Sequence, residues 1–203
     1  MTILTIGHSN HPLDVFRDLL RRHAVAVLAD VRSSPYSRYA TQFNRDSLSA
    51  YVKGEGIEYR YFGDALGGRP PQDEFYDDSG HVLYHRLAES REFQQGIDRL
   101  IRVAGDRRVA VLCSEEDPTD CHRRRLIGRV LQERGLEVIH LRADGRVQTE
   151  EELGREERHR KTGGQLALFD LEEEDSWKST RSVSPERPLP SSSGSSSGPE
   201  SAE

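Results

Sequence analysis

The sequence has few cysteines and no long apolar run. Its 203 residues include only two cysteines, Cys113 and Cys121. Two are too few for a disulfide framework, so a reducing compartment is expected. No apolar stretch approaches the roughly 20 residues that a membrane-spanning helix requires. Residues 1–6 have the pattern of a β-strand and not of a signal peptide. These absences predict a cytoplasmic protein that is not inserted in a membrane.

The sequence also lacks the basic excess typical of proteins that hold nucleic acid by bulk charge. The net charge is −6, and residues 170–203 carry most of it, with eight acidic and three basic side chains. The preceding residues are therefore close to neutral. If the protein acts on DNA or RNA, another feature must bring it there.

Apolar strand-like segments alternate with segments of helical periodicity. The predicted strands are residues 3–6, 24–31, 57–62, 108–113 and 136–141. This alternation predicts an α/β domain over residues 1–160, an open and mostly parallel sheet of about five strands flanked by helices. Asn44 and Asp120 are predicted helix caps, and Thr149 with Glu152 has the spacing of a capping box. The glycine- and proline-rich stretch 63–80 suggests a functional loop.

Residues 161–203 are predicted to form a flexible, disordered C-terminal tail. Residues 172–175 are an acidic run, and residues 185–202 are rich in proline, serine and glycine. Such a composition cannot bury enough apolar surface to offset the entropy lost on ordering.

Polar residues follow the predicted strands where they end. His8 and Ser9 follow the first strand, Asp30 and Arg32 end the second, Cys113 and Glu115 end the fourth, and the last strand leads to Asp144. Ligands of open α/β sheets bind outside the carboxyl ends of the strands. Alone, Ser9 and Asp144 fit turn residues, but the buried charges of Asp30 and Arg32 require partners. The group predicts a polar cleft at this edge of the sheet.

The segment 113–125 has the highest density of reactive side chains. Arg123 near a helix start opposes the helix dipole, which predicts an anion nearby, unless the arginines pair with the acids of residues 115–117 or face water. Cys121 beside arginines is a candidate nucleophile. Neither cysteine has the Cys-x5-Arg spacing of a phosphatase loop, and a zinc site with His122 lacks a Cys-x2-Cys pair and a fourth ligand. Structural use of the cysteines ranks first, a nucleophile second and a metal last; no metal is predicted, and the cofactor stays open.

Several motifs occur in a characteristic order. They are Thr5-Ile6-Gly7-His8-Ser9, Asp30-Val31-Arg32 with Pro35, Ser37 and Arg38, Leu66-Gly67-Gly68, and Leu112-Cys113 with Glu115, Pro118, Cys121, His122 and Arg123. Over roughly residues 1–145 the chain thereby resembles the domain of unknown function 488 family. The resemblance implies the fold and the clustering of these residues, and it carries over no established activity.

A short apolar cluster lies within the polar tail, Gln165-Leu166-Ala167-Leu168-Phe169. It resembles the Gln-Leu-Ser/Asp-Leu-Phe peptide by which bacterial polymerases and repair proteins bind the DNA sliding clamp, with Ala167 as a departure. The resemblance implies that Leu168 and Phe169 fill the clamp pocket, that Gln165 bonds at its rim and that Leu166 adds apolar contact. Alternatively, the period-two spacing suits a strand that folds back on the domain.

These observations favour an enzyme that acts on a nucleic acid, a nucleotide or another phosphate-bearing substrate and is recruited to DNA replication or repair by the tail. The predicted catalytic residues are Asp30, Glu115, Cys121 and His122. The predicted substrate-binding residues are His8, Ser9, Arg32, Arg38, Cys113 and Arg123. A non-catalytic, clamp-associated adaptor or anion-binding module is the alternative, and thiol-based sulfur or redox chemistry ranks third.

Overall fold

Six strands form one sheet in the computed structural model, which describes residues 1–162 and 177–185. In chain order they are β1 (Thr2–Gly7), β2 (Val27–Asp30), β3 (Glu58–Tyr61), β4 (Val109–Cys113), β5 (Glu137–Leu141) and β6 (Val147–Thr149). Across the sheet the order is β3-β2-β4-β1-β5-β6, and only β5 and β6 pair antiparallel. The predicted α/β class and mostly parallel sheet are confirmed. The sequence did not predict β6, because three residues are too few to show a periodicity.

Helices connect the strands and cover both faces of the sheet. They are α1 (Leu13–Arg22), α2 (Arg45–Gly54), α3 (Gly63–Leu66), α4 (Tyr84–Glu89), α5 (Arg91–Asp106), α6 (Arg129–Glu133) and α7 (Glu150–Thr162). A π-helical segment, Arg123–Gly128, continues directly into α6. The stretch 63–80, predicted as a loop, contains α3 and a 3₁₀ turn at Asp73–Phe75.

Alternate residues of the central strands supply two hydrophobic cores. Ala110 and Leu112 of β4 pack with Phe16 of α1 and with α2, whereas Val109 and Val111 face the other core with α3 to α6. Burying a side chain such as Phe16 stabilises the fold by about 1.5–3 kcal/mol. Because β4 is buried on both faces, its carboxyl end is held rigidly.

Of the three predicted helix caps, one forms its side-chain bonds, one lies at the helix start without a side-chain capping bond, and one is not at a helix start. At the start of α7, the Glu152 carboxylate accepts from the Thr149 N–H (2.8 Å) and the Glu152 N–H donates to the Thr149 hydroxyl (3.2 Å), so the capping box is confirmed. Asn44 precedes α2, although its side-chain oxygen accepts from the Ser37 N–H. The prediction of Asp120 as a cap is wrong.

Cys121, not Asp120, is the last residue before the helical segment, which begins at His122. The Cys121 carbonyl accepts from the N–H groups of Arg124 and Arg125, both at 3.0 Å, while its own N–H donates to the Pro118 carbonyl. A turn closed by Pro118 therefore contains Asp120.

Residues 177–185 pack against the domain, although the sequence placed them in the flexible tail. The Trp177 indole N–H donates to the Arg125 carbonyl (2.6 Å), and the Ser179 and Val183 N–H groups donate to the carbonyls of Val82 and Gly80 (2.9 Å each). We call residues 177–185 the C-terminal strap.

Candidate active site

The carboxyl ends of β2, β4 and β1 are adjacent in the sheet. Gly7 pairs with Cys113, and Asp30 pairs with Leu112. The residues that follow these strands therefore meet at one edge, as the strand-end pattern predicted. They border a cleft of about 560 Å³, whose lining includes Arg32, Cys113, Glu115 and His122. His8 and Ser9 line an adjoining pocket of about 250 Å³ that shares Arg32 with the cleft.

Asp30 and Arg32 form a buried ion pair beneath the cleft. The Arg32 Nε and Nη2 atoms donate to the two Asp30 carboxylate oxygens at 2.8 and 2.6 Å. The Tyr59 hydroxyl donates to the same carboxylate (2.6 Å), and the Arg32 Nη1 atom donates to the Phe43 carbonyl (2.9 Å). Because its oxygens are occupied and it is fully buried, Asp30 is placed to hold Arg32 rather than to act as a general base.

His8 extends this network as a neutral imidazole. Its Nδ1 atom lies 2.6 Å from the Ser9 carbonyl oxygen, and its Nε2 atom lies 3.0 Å from Arg32 Nη1. Arginine only donates, so Nε2 accepts and Nδ1 carries the proton. Burial and the neighbouring Arg32 charge lower the pKa of His8 to about 4. His8 therefore positions Arg32 and is not poised to exchange protons at neutral pH.

Two cysteines and a histidine meet at the end of β4. The His122 Nδ1 atom lies 3.6 Å from Cys113 Sγ and 4.0 Å from Cys121 Sγ. The other ring nitrogen, Nε2, lies 3.2 Å from the Val31 carbonyl oxygen, an acceptor only. Nε2 must therefore carry a proton and donate it to this carbonyl. That hydrogen bond orients the ring so that Nδ1 faces the sulfur atoms.

The two thiols differ in acidity. A hydrogen bond from Cys121 lowers the pKa of Cys113 against the effect of burial, and the nearby His122 charge lowers it further. Burial and the Cys113 charge raise the pKa of Cys121. Although burial opposes it, the Cys113 charge raises the pKa of His122. The cluster therefore favours a Cys113 thiolate paired with a His122 imidazolium, beside a neutral Cys121 thiol.

The sequence assigned the nucleophile to the other cysteine. Cys113 lines the cleft, whereas Cys121 is only 1% exposed and is not part of the lining. The signal available in the sequence was the position of Cys113 at the carboxyl end of a buried strand, where a ligand would bind.

Glycine lets the chain approach this cluster closely. A Cβ atom on Gly68 would lie 2.7 Å from Cγ of the His122 ring. The next residue, Arg69, is exposed in the cleft lining, and no ion-pair partner for its guanidinium is found among the described residues. The Leu66-Gly67-Gly68 motif therefore holds the ring and presents a cation, a role that the sequence did not assign to it.

Two arginines predicted to bind the substrate lie elsewhere. Arg123 is fully buried, and its guanidinium donates to the carbonyls of Glu115 and Glu116 and, at 3.4 Å, to the Thr5 hydroxyl. Arg123 thus fixes the loop after β4, which favours a structural role. Arg38 is exposed and does not line the cleft or the adjoining pocket.

The C-terminal strap forms one wall of the cleft. Residues 179–183 belong to the lining, and Arg181 lies 4.0 Å from Glu115 across it. Sequence reasoning missed this wall. The available signal was Trp177, the single tryptophan of the chain, in an otherwise polar segment.

The same cluster has the donor set of a metal site. Cys113, Cys121 and His122 offer ligand atoms that all lie within 4.8 Å of one another. Two sulfurs and one imidazole suit a soft or borderline cation such as Zn²⁺, with a fourth position left for water or substrate. The sequence ranked a metal last because the cysteines lack close spacing, and the fold brings them together regardless.

Two further predictions concern the docking peptide of the tail and the absence of a membrane-spanning helix. The predicted docking residues Gln165, Leu166, Leu168 and Phe169 lie outside the described residues. Within residues 1–162 and 177–185, no helix is both long and apolar enough to cross a bilayer.

Comparisons with known proteins identify a family and no individual relative. No curated protein and no solved structure matches the chain. A family model described as "Domain of unknown function DUF488" matches residues 12–130. This range contains β2, β4 and the Cys113–His122 cluster, but it excludes His8, β5, β6 and the C-terminal strap. Because more than half of the chain matches, the protein belongs to the DUF488 family.

Proposed function

We propose that the protein is a thiol-dependent enzyme that acts on a phosphate-bearing substrate, such as a nucleotide or a nucleic acid. The observation that carries the proposal is the Cys113–His122 pair, with 3.6 Å between Sγ and Nδ1, in a cleft that is also lined by arginines. A cysteine thiolate paired with a histidine is a typical nucleophile in enzymes.

The cleft offers donors for an anionic group. Arg69 is exposed and free of an ion-pair partner among the described residues, and Arg181 of the C-terminal strap also lines the cleft, whereas the Arg32 guanidinium is already held by Asp30. Guanidinium groups bind phosphate with paired hydrogen bonds. The cleft volume of about 560 Å³ falls within the range typical of small-ligand sites. A phosphate held by Arg69 would place the rest of the substrate beside Cys113.

In the proposed reaction, Cys113 Sγ attacks an electrophilic atom of the substrate. A bond from sulfur to that atom forms, the bond to the leaving group breaks, and His122 Nδ1 gives its proton to the departing group. Neutral Nδ1 then takes a proton from water as its oxygen attacks the adduct. The sulfur bond breaks, which restores the thiolate and the imidazolium. The net change is hydrolysis of the substrate.

The test is turnover of a panel of nucleotides, oligonucleotides and phosphate esters by the full chain. Cys113→Ser is expected to abolish turnover, and His122→Gln to lower it by about 10²-fold or more, as expected for loss of a general acid. Arg69→Ala is expected to raise KM more than it lowers kcat. The matched control Arg102→Ala changes an arginine of α5 that does not line the cleft. Full turnover by Cys113→Ser would exclude the thiol mechanism.

We further propose that residues 165–169 recruit this enzyme to the bacterial DNA sliding clamp, in the cytoplasm. The proposal is supported by the resemblance of the peptide to clamp-binding sequences. It is also supported by the nearly neutral charge of the domain, because such a domain does not bind DNA by bulk charge and would need a partner to bring it there. The test is binding of the intact protein to the purified clamp beside the Leu168→Ala/Phe169→Ala double variant. Binding that the double variant loses supports recruitment, and no binding by the intact chain contradicts it. Clamp binding without any Cys113-dependent turnover would indicate the adaptor instead.

A further inference from the structure

Cys113 and Cys121 lie together at the candidate active site, and they are the only cysteines of the chain. Their sulfur atoms lie within 4.8 Å of each other and near the same His122 nitrogen. Neither is in a disulfide. A disulfide would require these sulfur atoms to approach each other from this separation to a bond length of about 2.05 Å.

The two sulfur atoms differ in access. Cys113 is 7% exposed and lines the cleft, whereas Cys121 is 1% exposed and lies behind it. A small oxidant that enters the cleft therefore meets Cys113 first. Cys121 is placed to react only with a group already attached to Cys113, which is the arrangement of a reactive and a resolving cysteine.

The loop between the two cysteines is held in place. The Arg123 guanidinium donates to the carbonyls of Glu115 and Glu116, and the Arg142 guanidinium pairs with the Glu116 carboxylate (2.8 and 2.9 Å). These contacts hold the backbone that directly follows Cys113.

We propose that Cys113 and Cys121 form a reversible disulfide when the protein meets a hydroperoxide, and that this bond switches the site off. The proposal rests on the proposed function only in taking Cys113 as the nucleophile that the disulfide removes, and it needs no substrate. Oxidation of Cys113 removes the nucleophile, and the disulfide protects Cys113 from irreversible oxidation.

The chemistry has two steps. The Cys113 sulfur attacks the terminal oxygen of the hydroperoxide, so that an S–O bond forms and the O–O bond breaks. The departing oxygen takes the proton of the Cys113–His122 pair and leaves as water or an alcohol. The Cys121 sulfur then attacks the Cys113 sulfenic acid, an S–S bond forms, and the S–O bond breaks with release of water. The sulfur pair is oxidised by two electrons, the peroxide is reduced, and a dithiol such as dithiothreitol reverses the change.

The experiment treats the full, reduced, chelator-washed chain with one equivalent of hydrogen peroxide. Thiols are then counted in denaturant, and the intact and peptide masses are measured. We expect the thiol count to fall from two to none, the mass to decrease by two hydrogen atoms, and peptides containing Cys113 and Cys121 to be joined. Dithiothreitol is expected to restore both thiols.

Two variants assign the roles. Cys121→Ser is expected to accumulate a Cys113 sulfenic acid that reacts with dimedone, and to continue to the sulfinic acid with more peroxide. Cys113→Ser is expected to keep Cys121 reduced under the same treatment. Circular dichroism and thermal unfolding check that the variants are folded, and the wild-type measurement decides the matter if they are not.

Two results would contradict disulfide formation between Cys113 and Cys121 of one chain. A wild-type chain that gains oxygen on Cys113 while Cys121 stays a free thiol overturns the proposal, as does a disulfide only between two chains. Because the readouts are thiol count and mass, disulfide formation without any enzymatic turnover would leave this inference intact and contradict the proposed function alone.

Discussion

The His122 ring joins the ends of two strands, with Nδ1 3.6 Å from Cys113 Sγ and Nε2 3.2 Å from the Val31 carbonyl oxygen. Its protonated Nε2 is fixed by the backbone, so Nδ1 can only face the sulfur atoms. A ring held in this way raises the fraction of thiolate at Cys113 without any movement of the protein.

Alkylation should show that the pair is charged. Since the pKa of Cys113 is lowered, iodoacetamide is expected to modify Cys113 readily at pH 6. His122→Gln removes the positive charge, raises the thiol pKa and lowers the thiolate fraction, so the rate at pH 6 should fall by about tenfold or more. The exposed His159→Gln serves as the control. Equal rates for wild type and His122→Gln would show that the ring does not activate the thiol.

Gly68→Ala should displace the His122 ring. The added Cβ would lie 2.7 Å from the ring, so we expect a loss of about 1–3 kcal/mol in unfolding free energy and slower alkylation of Cys113. The matched control is Gly105→Ala in α5, where an added Cβ meets no atom within 4 Å. That substitution should leave alkylation unchanged and stabilise the helix by up to about 1 kcal/mol. Urea titration and alkylation kinetics measure both effects.

Asp30→Asn should act on stability more than on chemistry. It leaves the Arg32 charge buried without its carboxylate, which is expected to lower the unfolding free energy by about 3–5 kcal/mol. Asp18→Asn removes the carboxylate of a surface pair with Arg17 and should leave the unfolding free energy close to that of wild type. A folded, fully stable Asp30→Asn protein without turnover would instead assign Asp30 to catalysis.

Stability should fall between pH 6.5 and pH 4 because of His8. Its pKa is lowered from 6.5 to about 4 in the folded chain, so only the unfolded chain takes up this proton in that range. The contribution is present above pH 6.5 and is lost as the pH falls, by about 3 kcal/mol at most. Urea unfolding at pH 7 and pH 5 should show a smaller loss for His8→Gln than for wild type. His159→Gln, the exposed control, should follow wild type.

Trp177→Ala should loosen the C-terminal strap. The indole N–H bond to the Arg125 carbonyl and the contact with the Arg129 guanidinium (4.2 Å to the ring centre) would both be lost. We expect a destabilisation of about 1–3 kcal/mol and faster reaction of Cys113 with a bulky thiol reagent. Trp177→Phe keeps an aromatic ring and should show the smaller effect. An unchanged rate with the bulky reagent would mean that the strap does not limit access to the cleft.

The strand-end argument correctly predicted where polar residues gather, but it did not assign their roles. It placed Asp30, Arg32 and Cys113 at one edge because parallel strands end together. It could not show that the Asp30 carboxylate accepts hydrogen bonds from Arg32 and Tyr59. Nor could it show that the Arg123 guanidinium donates to the loop after β4. Those outcomes depend on side-chain packing between segments distant in the chain. The predicted partner-binding residues in the tail remain predictions.

The sequence by itself determined the alternation of strands and helices, the α/β class and the capping box of Thr149 and Glu152, because these follow from periodicity and from contacts between near neighbours. Only the tertiary structure decided that Cys113 rather than Cys121 faces the cleft, that Gly68 supports the His122 ring, and that residues 177–185 return to form a wall. The physical reason is that pKa values and access depend on groups brought together by the sheet order. Val31, Gly68, Cys113, His122 and the strap meet only after β2, β4 and β1 have paired.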